Sequence, residues 1–213
     1  KKAISLKTDY VQAYNNLGVL YKDSEKYEDA IKMFMKAKEL QPDHQNSYYN
    51  LALIKKEQGL YEEAIEFLLM VLDLNPEHNE ANYLSWLIYS RLGQFTEGWK
   101  YFEYRWKVSP QNGVIWPIQD KPLWKGEKGK HVVVWREQGI GDQIIFLSLL
   151  PEVKEMCSRL SVYVDPRLEA LCKRTMPEID FVKDVEELQK VDSDYHLPIQ
   201  SLGGQIRNDI SDF

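Results

Sequence analysis

The residues best suited to chemistry stand together in Gln138-Gly139-Ile140-Gly141-Asp142-Gln143, shortly after the β-branched run His131-Val132-Val133-Val134-Trp135. Two closely spaced glycines let a ligand approach the backbone with no side chain in the way. Asp142 has two roles open to it, a helix N-cap or a general base. A helix starting here would turn its exposed amides and dipole toward an anionic or phosphorylated group. The string is not a dinucleotide fingerprint, because Ile144 stands where a third glycine would be, and it is not a phosphate-binding loop of the GxxxxGK type. His196 lies in a later apolar run; it could reach the same cleft from a strand end or sit as a satisfied core or surface histidine.

Such a loop works only if strand and helix hold it. The run at 131–135 has the composition of a buried parallel strand, and apolar helical sequence extends from Ile144 to Met156. A strand at Leu160–Val164, a helix at Arg167–Arg174 and strands at Ile179–Val182 and Tyr195–Ile199 come next. This alternation predicts an open α/β sheet whose ligands sit beyond the carboxyl ends of the strands.

The first half of the chain has a different grammar. Pro42, Pro76 and Pro110 are spaced by 34 residues, as are Tyr27, Tyr61 and Phe95, and Ala30, Ala64 and Gly98. That period marks a stacked helix–turn–helix array. Tyr14, Leu17, Gly18 and Tyr21 share one helical face, and Ala30, Phe34 and Ala37 another. Gly18 and Ala30 let paired helices come close while the aromatic rings fill the space around them. Tyr48, Leu51, Ala52, Ala64 and Leu68 repeat the pattern; Leu92, Gly93, Phe95, Gly98 and Phe102 repeat it more loosely, with Trp86 where Gly18 and Ala52 stood.

This pattern resembles the tetratricopeptide repeat family over about half the chain. The expected organisation is an all-α superhelix over 1–110, with repeats at 11–42, 45–76 and 79–110 after the tail of an earlier one. The alignment of Ala3 and Leu6 with Ala37 and Leu40 suggests an excerpt of a longer protein. The resemblance implies a protein or peptide partner on the concave face of the first helices. Gln12, Asn16, Val19 and Lys22 would contribute from the first repeat, Asn46, Tyr49, Asn50, Leu53 and Lys56 from the second, and Tyr83, Leu87 and Arg91 from the third. Asn16 and Asn50, one period apart, resemble the asparagine ladder of protein O-GlcNAc transferases; an amide donates and accepts, which suits a peptide backbone. Leu84 ends that ladder, and the plain alternative is that both asparagines only tolerate exposure. Lys22 and Lys56 are solvated lysines or a preference for acidic peptide.

Trp99, Phe102 and Trp106 form an aromatic stripe, read as packing for a rigid junction with the next domain. Residues 111–130, rich in proline and glycine, form a connector anchored by Trp116 and Trp124. A net charge of −6 with interleaved lysines and glutamates argues against nucleic acid. The longest apolar run is too short to cross a bilayer. Cys157 and Cys172 have no metal-type spacing and read as free buried thiols of a cytoplasmic protein.

Phe95-x-x-Gly98-Trp99, Tyr104-Arg105-Trp106, Pro122-Leu123-Trp124-x-Gly126, Glu137 to Asp142 and Leu149-Leu150-Pro151 occur in that order. Asp194-x-His196-x-Pro198-Ile199-x-Ser201-Leu202 completes the set. Together these resemble bacterial proteins in which tetratricopeptide repeats precede a heptosyltransferase-like glycosyltransferase domain of the GT-B type. The resemblance implies that 131–213 is a partial Rossmann-like half domain. Asp142 would be the candidate base for an acceptor hydroxyl, with Gln138, Gly139, Gly141, Gln143 and His196 around the substrate. The donor would be a nucleotide-sugar, held chiefly by a second half, so no cofactor is expected in this chain and it would not transfer sugar alone. It is then part of a glycosyltransferase or a non-enzymatic scaffold with a structural α/β part. A sheet cut short would present an edge for self-association.

Overall fold

The computed structural model describes residues 10–108, 117, 120–137, 139–207 and 211. It divides into two compact units, Lys1–Val108 and Ser109–Phe213.

The first unit is a series of antiparallel helix pairs: α1 (Val11–Asp23) with α2 (Tyr27–Leu40), α3 (Gln45–Glu57) with α4 (Tyr61–Leu74), and α5 (Asn79–Arg91) with α6 (Phe95–Trp99). The turns inside the pairs are superposable in sequence. Glu25, Gly59 and Gly93, one period apart, all take positive φ, at 59°, 76° and 72°. Their N–H groups bond the carbonyls of Lys22, Lys56 and Ser90. The turns between repeats are tied alike: Tyr48 Oη donates to the Pro42 carbonyl at 2.9 Å and Asn82 Nδ2 to that of Pro76 at 2.8 Å. Ala30, Phe34 and Ala37 are fully buried, as are Ala52, Ala64, Leu68 and Val71.

The third pair departs from the regular form. The third repeat, expected over 79–110 as a looser copy, leaves α geometry after Trp99, makes a 3₁₀ turn at Phe102–Tyr104 and resumes as α7 (Arg105–Val108). Trp86 supplies the physical reason. Its indole fills the position where Gly18 and Ala52 admit the partner helix, so Phe102 packs tilted against it with ring centroids 4.9 Å apart. Trp99 closes on the other side, edge to face with Phe102 at 4.9 Å.

The second unit is built on four parallel strands, β1 (His131–Trp135), β2 (Arg159–Tyr163), β3 (Asp180–Val182) and β4 (Tyr195–Pro198), in the order β3-β2-β1-β4. Val132, Val134, Leu160, Val162 and Leu197 form one core with side chains of α8 (Ile140–Leu147), α9 (Leu150–Met156) and α10 (Pro166–Thr175). The single helical run expected over 144–156 is two helices. Pro151 has no N–H for the carbonyl of Leu147, and the chain breaks at Ser148-Leu149. Two short helices, α11 (Val185–Gln189) and α12 (Leu202–Ile206), went unseen in the sequence.

Trp124 is fully buried in this core; Trp116 lies outside the described residues. The segment around Trp124 runs beside β4, its N–H bonding the His196 carbonyl at 2.9 Å while the His196 N–H bonds that of Pro122 at 3.1 Å. The edge expected to be unpaired is therefore engaged on the β4 side, and β3 at the other edge is three residues long. Cys157 and Cys172 are free and buried, and burial pushes the Cys157 thiol up to about 11.

Candidate functional site

Two places merit a functional reading, one in each unit. In the repeat unit the first helices carry the expected groove residues. Gln12 and Asn16 are exposed and bonded to each other, Gln12 Nε2 donating to Asn16 Oδ1 at 2.9 Å. Asn50 is half-buried: its amide donates to the Asn46 carbonyl at 2.8 Å and lies 3.4 Å from Oδ1 of Asn15, a buried residue that sequence reasoning passed over. The two asparagines thus differ in setting, one in solvent and one in the contact between neighbouring repeats.

One turn further along the first helices stand Val19, Leu53 and Leu87. Val19 and Leu53 are half-buried, packed on the cores of their repeats, and Leu87 is 40% exposed. Lys56, Leu87 and Arg91 come together with Glu57, Tyr61 and Ile88 around an open cleft of about 440 Å³. Tyr61, which the sequence marked only as a repeat landmark, lies under the Arg91 guanidinium at 5.3 Å. Lys56 pairs with Glu57 at 2.8 Å and Lys22 with Asp23 at 3.6 Å. At the other rim Tyr49 packs on His78 with centroids 5.2 Å apart, and Tyr83 on Trp86 at 5.5 Å. Burial, with help from Glu80, raises the Tyr49 hydroxyl above its ordinary value. Asn46 is exposed on the same helix.

In the α/β unit the candidate site lies at the carboxyl ends of β1 and β4, where the strand order reverses. Gly139 takes the N-cap position of α8, so the capping role considered for Asp142 falls to a glycine and Asp142 sits in the first turn, exposed. A carboxylate there is favoured by the positive end of the helix. A Cβ added to Gly139 or Gly141 would meet nothing within 4 Å, and neither has a φ that disfavours side chains. The fold therefore does not itself require glycine at either place.

Glu137 and Gln200, which the sequence did not mark as site residues, bridge the two strand ends. Glu137 Oε2 accepts the Gln200 N–H at 2.8 Å, and Gln200 Nε2 stands 3.5 Å from Asp142 Oδ2. Gln143 points the opposite way: it is 1% exposed, and its Oε1 accepts the Asp165 N–H at 2.8 Å. On a helix, 140, 143 and 147 share the inner face, which leaves 141 and 142 outside. His196 is buried on β4, accepting the Trp135 Nε1–H on Nδ1 at 3.0 Å. Burial holds its imidazole below the ordinary histidine value, partly offset by a backbone hydrogen bond at Lys121 and the charge of Asp120. Gln138 lies outside the described residues. Beside the site, Asp165 caps α10 and pairs with Arg167 and Arg136, each at 2.8 Å.

Among the described residues no cluster of His, Cys, Asp and Glu could hold a metal ion, and no helix is long and apolar enough to cross a membrane.

Residues 9–77 match the family model of the tetratricopeptide repeat. The chain is similar to Protein FlbA of Caulobacter vibrioides, with 32% identity over an alignment of 94 residues that covers 39% of this chain and 15% of FlbA. Among solved structures it is similar to YrrB, described as a tetratricopeptide repeat protein with an unusual peptide-binding site. That similarity has 21% identity and a TM-score of 0.49 over 52% of this chain and 57% of the other. It is also similar to MamA, at 24% identity and a TM-score of 0.47 over 52% and 64% of the respective chains.

Proposed function

We propose that the repeat unit is a protein-interaction module that grips a peptide segment across its first helices. The observation that carries this reading is the cleft where Lys56 of one repeat meets Leu87 and Arg91 of the next. The cleft sets an exposed leucine beside two cations, one of them paired with Glu57, and so suits an apolar side chain flanked by acidic ones. A photo-crosslinking residue at Leu87 should capture partner peptide, while one at Lys32, exposed on a second helix, should not. Equal capture at both would remove the groove.

A second reading concerns the α/β unit: within the whole protein it contributes to sugar transfer from a nucleotide-sugar to an acceptor brought by the repeats. It is favoured by Gly139 and Gly141, which keep open a space that the fold does not use, with Asp142 exposed next to them. Asp142 would take the proton of an acceptor hydroxyl as that oxygen attacks the anomeric carbon and the bond from that carbon to the phosphate oxygen breaks, the nucleoside diphosphate leaving with the electron pair. Calorimetric titration of ADP- and UDP-linked sugars into the longest native form, with this chain alongside, tests it. Binding confined to the longer form supports a split site; silence from both leaves a scaffold. Full transfer activity in Asp142→Ala would remove the base.

A further inference from the structure

The apolar residues of the groove recur once per repeat: Val19, Leu53 and Leu87 stand at the same position of consecutive first helices. Unlike the asparagine pair, which Leu84 interrupts, this row is unbroken through three repeats. Lys22 and Lys56 follow their apolar residue by three positions and Arg91 by four, one helical turn on. The groove therefore presents an apolar row with a row of cations parallel to it, both running across the helices; Lys22 and Lys56 pair with Asp23 and Glu57, exposed surface pairs that a closer acidic partner can displace. Leu87 and Arg91 already share a cleft with Lys56.

The spacing decides what can lie on such a row. Packed helices stand about 10 Å apart, and the first helices of the first two repeats approach closely enough for Asn50 to lie 3.4 Å from Asn15. An extended peptide advances about 3.3 Å per residue, so it would meet the row at every third residue. Odd spacing turns successive side chains of a strand to opposite faces, and only alternate ones could reach the row. An α-helix advances 1.5 Å per residue, so about seven residues span one repeat, and seven residues return the side chain to nearly the same face.

Resting on the groove reading above, we propose that the partner segment binds as an amphipathic α-helix lying across the repeats. Its apolar residues at heptad spacing sit on Val19, Leu53 and Leu87, and an acidic flank faces Lys22, Lys56 and Arg91. The asparagines then border the helix and do not grip an extended backbone.

Two labelled peptides test this, each three heptads long and with the same number of leucines and glutamates. One is stapled as a helix with leucine at every seventh position and glutamate along one flank; the other has the residues reordered around prolines to stay extended. Each is titrated into the full chain at low and physiological salt and read by fluorescence anisotropy. The stapled helix should bind more tightly, more weakly at higher salt, and about tenfold more weakly to Leu87→Glu. Lys56→Glu with Arg91→Glu should remove most of the salt dependence. Circular dichroism on both variants confirms folding. Tighter binding of the extended peptide, lost in Leu87→Glu, would overturn the helical partner and leave the peptide groove standing. Binding of neither peptide, or binding indifferent to Leu87→Glu, would also overturn the proposal; the groove itself is judged separately by the crosslinking experiment.

Discussion

The ring of Phe34 occupies the place where a side chain on Gly18 would begin: a Cβ there would lie 2.6 Å from Cε1 and 2.8 Å from Cδ1. Phe34 is fully buried, so the ring has no solvent side to retreat to. The second repeat solves the same contact differently, with Ala52 against Leu68. Close approach of the helices is thus a shared property of the pair and not of either residue.

Gly18→Ala should destabilise the repeat unit by roughly 1–2 kcal/mol. Overpacking costs about 1–3 kcal/mol, and the better helix propensity of alanine returns up to about 1. Adding Phe34→Leu, which copies the second repeat, should recover part of the loss, a non-additivity that urea denaturation of the four proteins measures. Additive effects would mean that the ring moves freely.

Glu25 is the only described non-glycine residue with positive φ, at the position where the other two repeats place Gly59 and Gly93. Left-handed backbone costs an ordinary residue roughly 1–2 kcal/mol. Glu25→Gly should therefore stabilise by about 1 kcal/mol, less the extra entropy glycine adds to the unfolded chain. A fall in melting temperature would show that the glutamate side chain contributes more than the strain.

Ser193 is buried, and among the described residues its hydroxyl has no hydrogen-bond partner. A buried polar group without a hydrogen bond costs about 1–3 kcal/mol, so Ser193→Ala should be neutral or stabilising by up to about 1 kcal/mol. Destabilisation beyond that in chemical denaturation would reveal a partner that the hydroxyl does have.

Asp165 ties β2 to α10 and to two arginines. The Arg167 side chain first, then the Arg167 N–H, hold its carboxyl well below the usual aspartate range, with charge from Arg167 and Arg136 adding to this against the cost of burial. A depressed carboxyl contributes its full stability above the ordinary value near pH 4 and loses it as pH falls through the lower folded value. Asp165→Asn should therefore be destabilised at neutral pH, with the gap to the parent narrowing as pH drops from about 4 toward 2. A constant gap would assign the effect to packing.

His196 runs the same way for an opposite charge. Its imidazole, neutral and accepting from Trp135, is held below the ordinary value by burial, so its contribution is complete above about pH 6.5 and lost as pH falls through the folded value. Nitrogen NMR should show the proton on Nε2 at neutral pH. His196→Phe should cost roughly 1–3 kcal/mol by leaving the indole N–H without this acceptor. A ring protonated at neutral pH would refute the assignment.

The repeats and the strands were legible in the sequence, the repeats because they are periodic and the strands because they are short apolar runs between turns. The 34-residue spacing placed α1 through α5, and four apolar runs placed β1 to β4 within a residue or two. Gly139, Gly141 and Asp142 also stood out, since glycines between a strand and a helix are a local pattern. Periodicity cannot carry orientation or partner choice. That Gln143 turns inward to Asp165 while Asp142 turns out, and that His196 meets Trp135 sixty-one residues away, depends on which strands are neighbours. That Gln200 and Glu137 join the site depends on β4 returning to the side of β1. The break in the third repeat was likewise settled in three dimensions. Trp86 fits a helix as well as Gly18 does, and only the helix facing it registers the difference in volume.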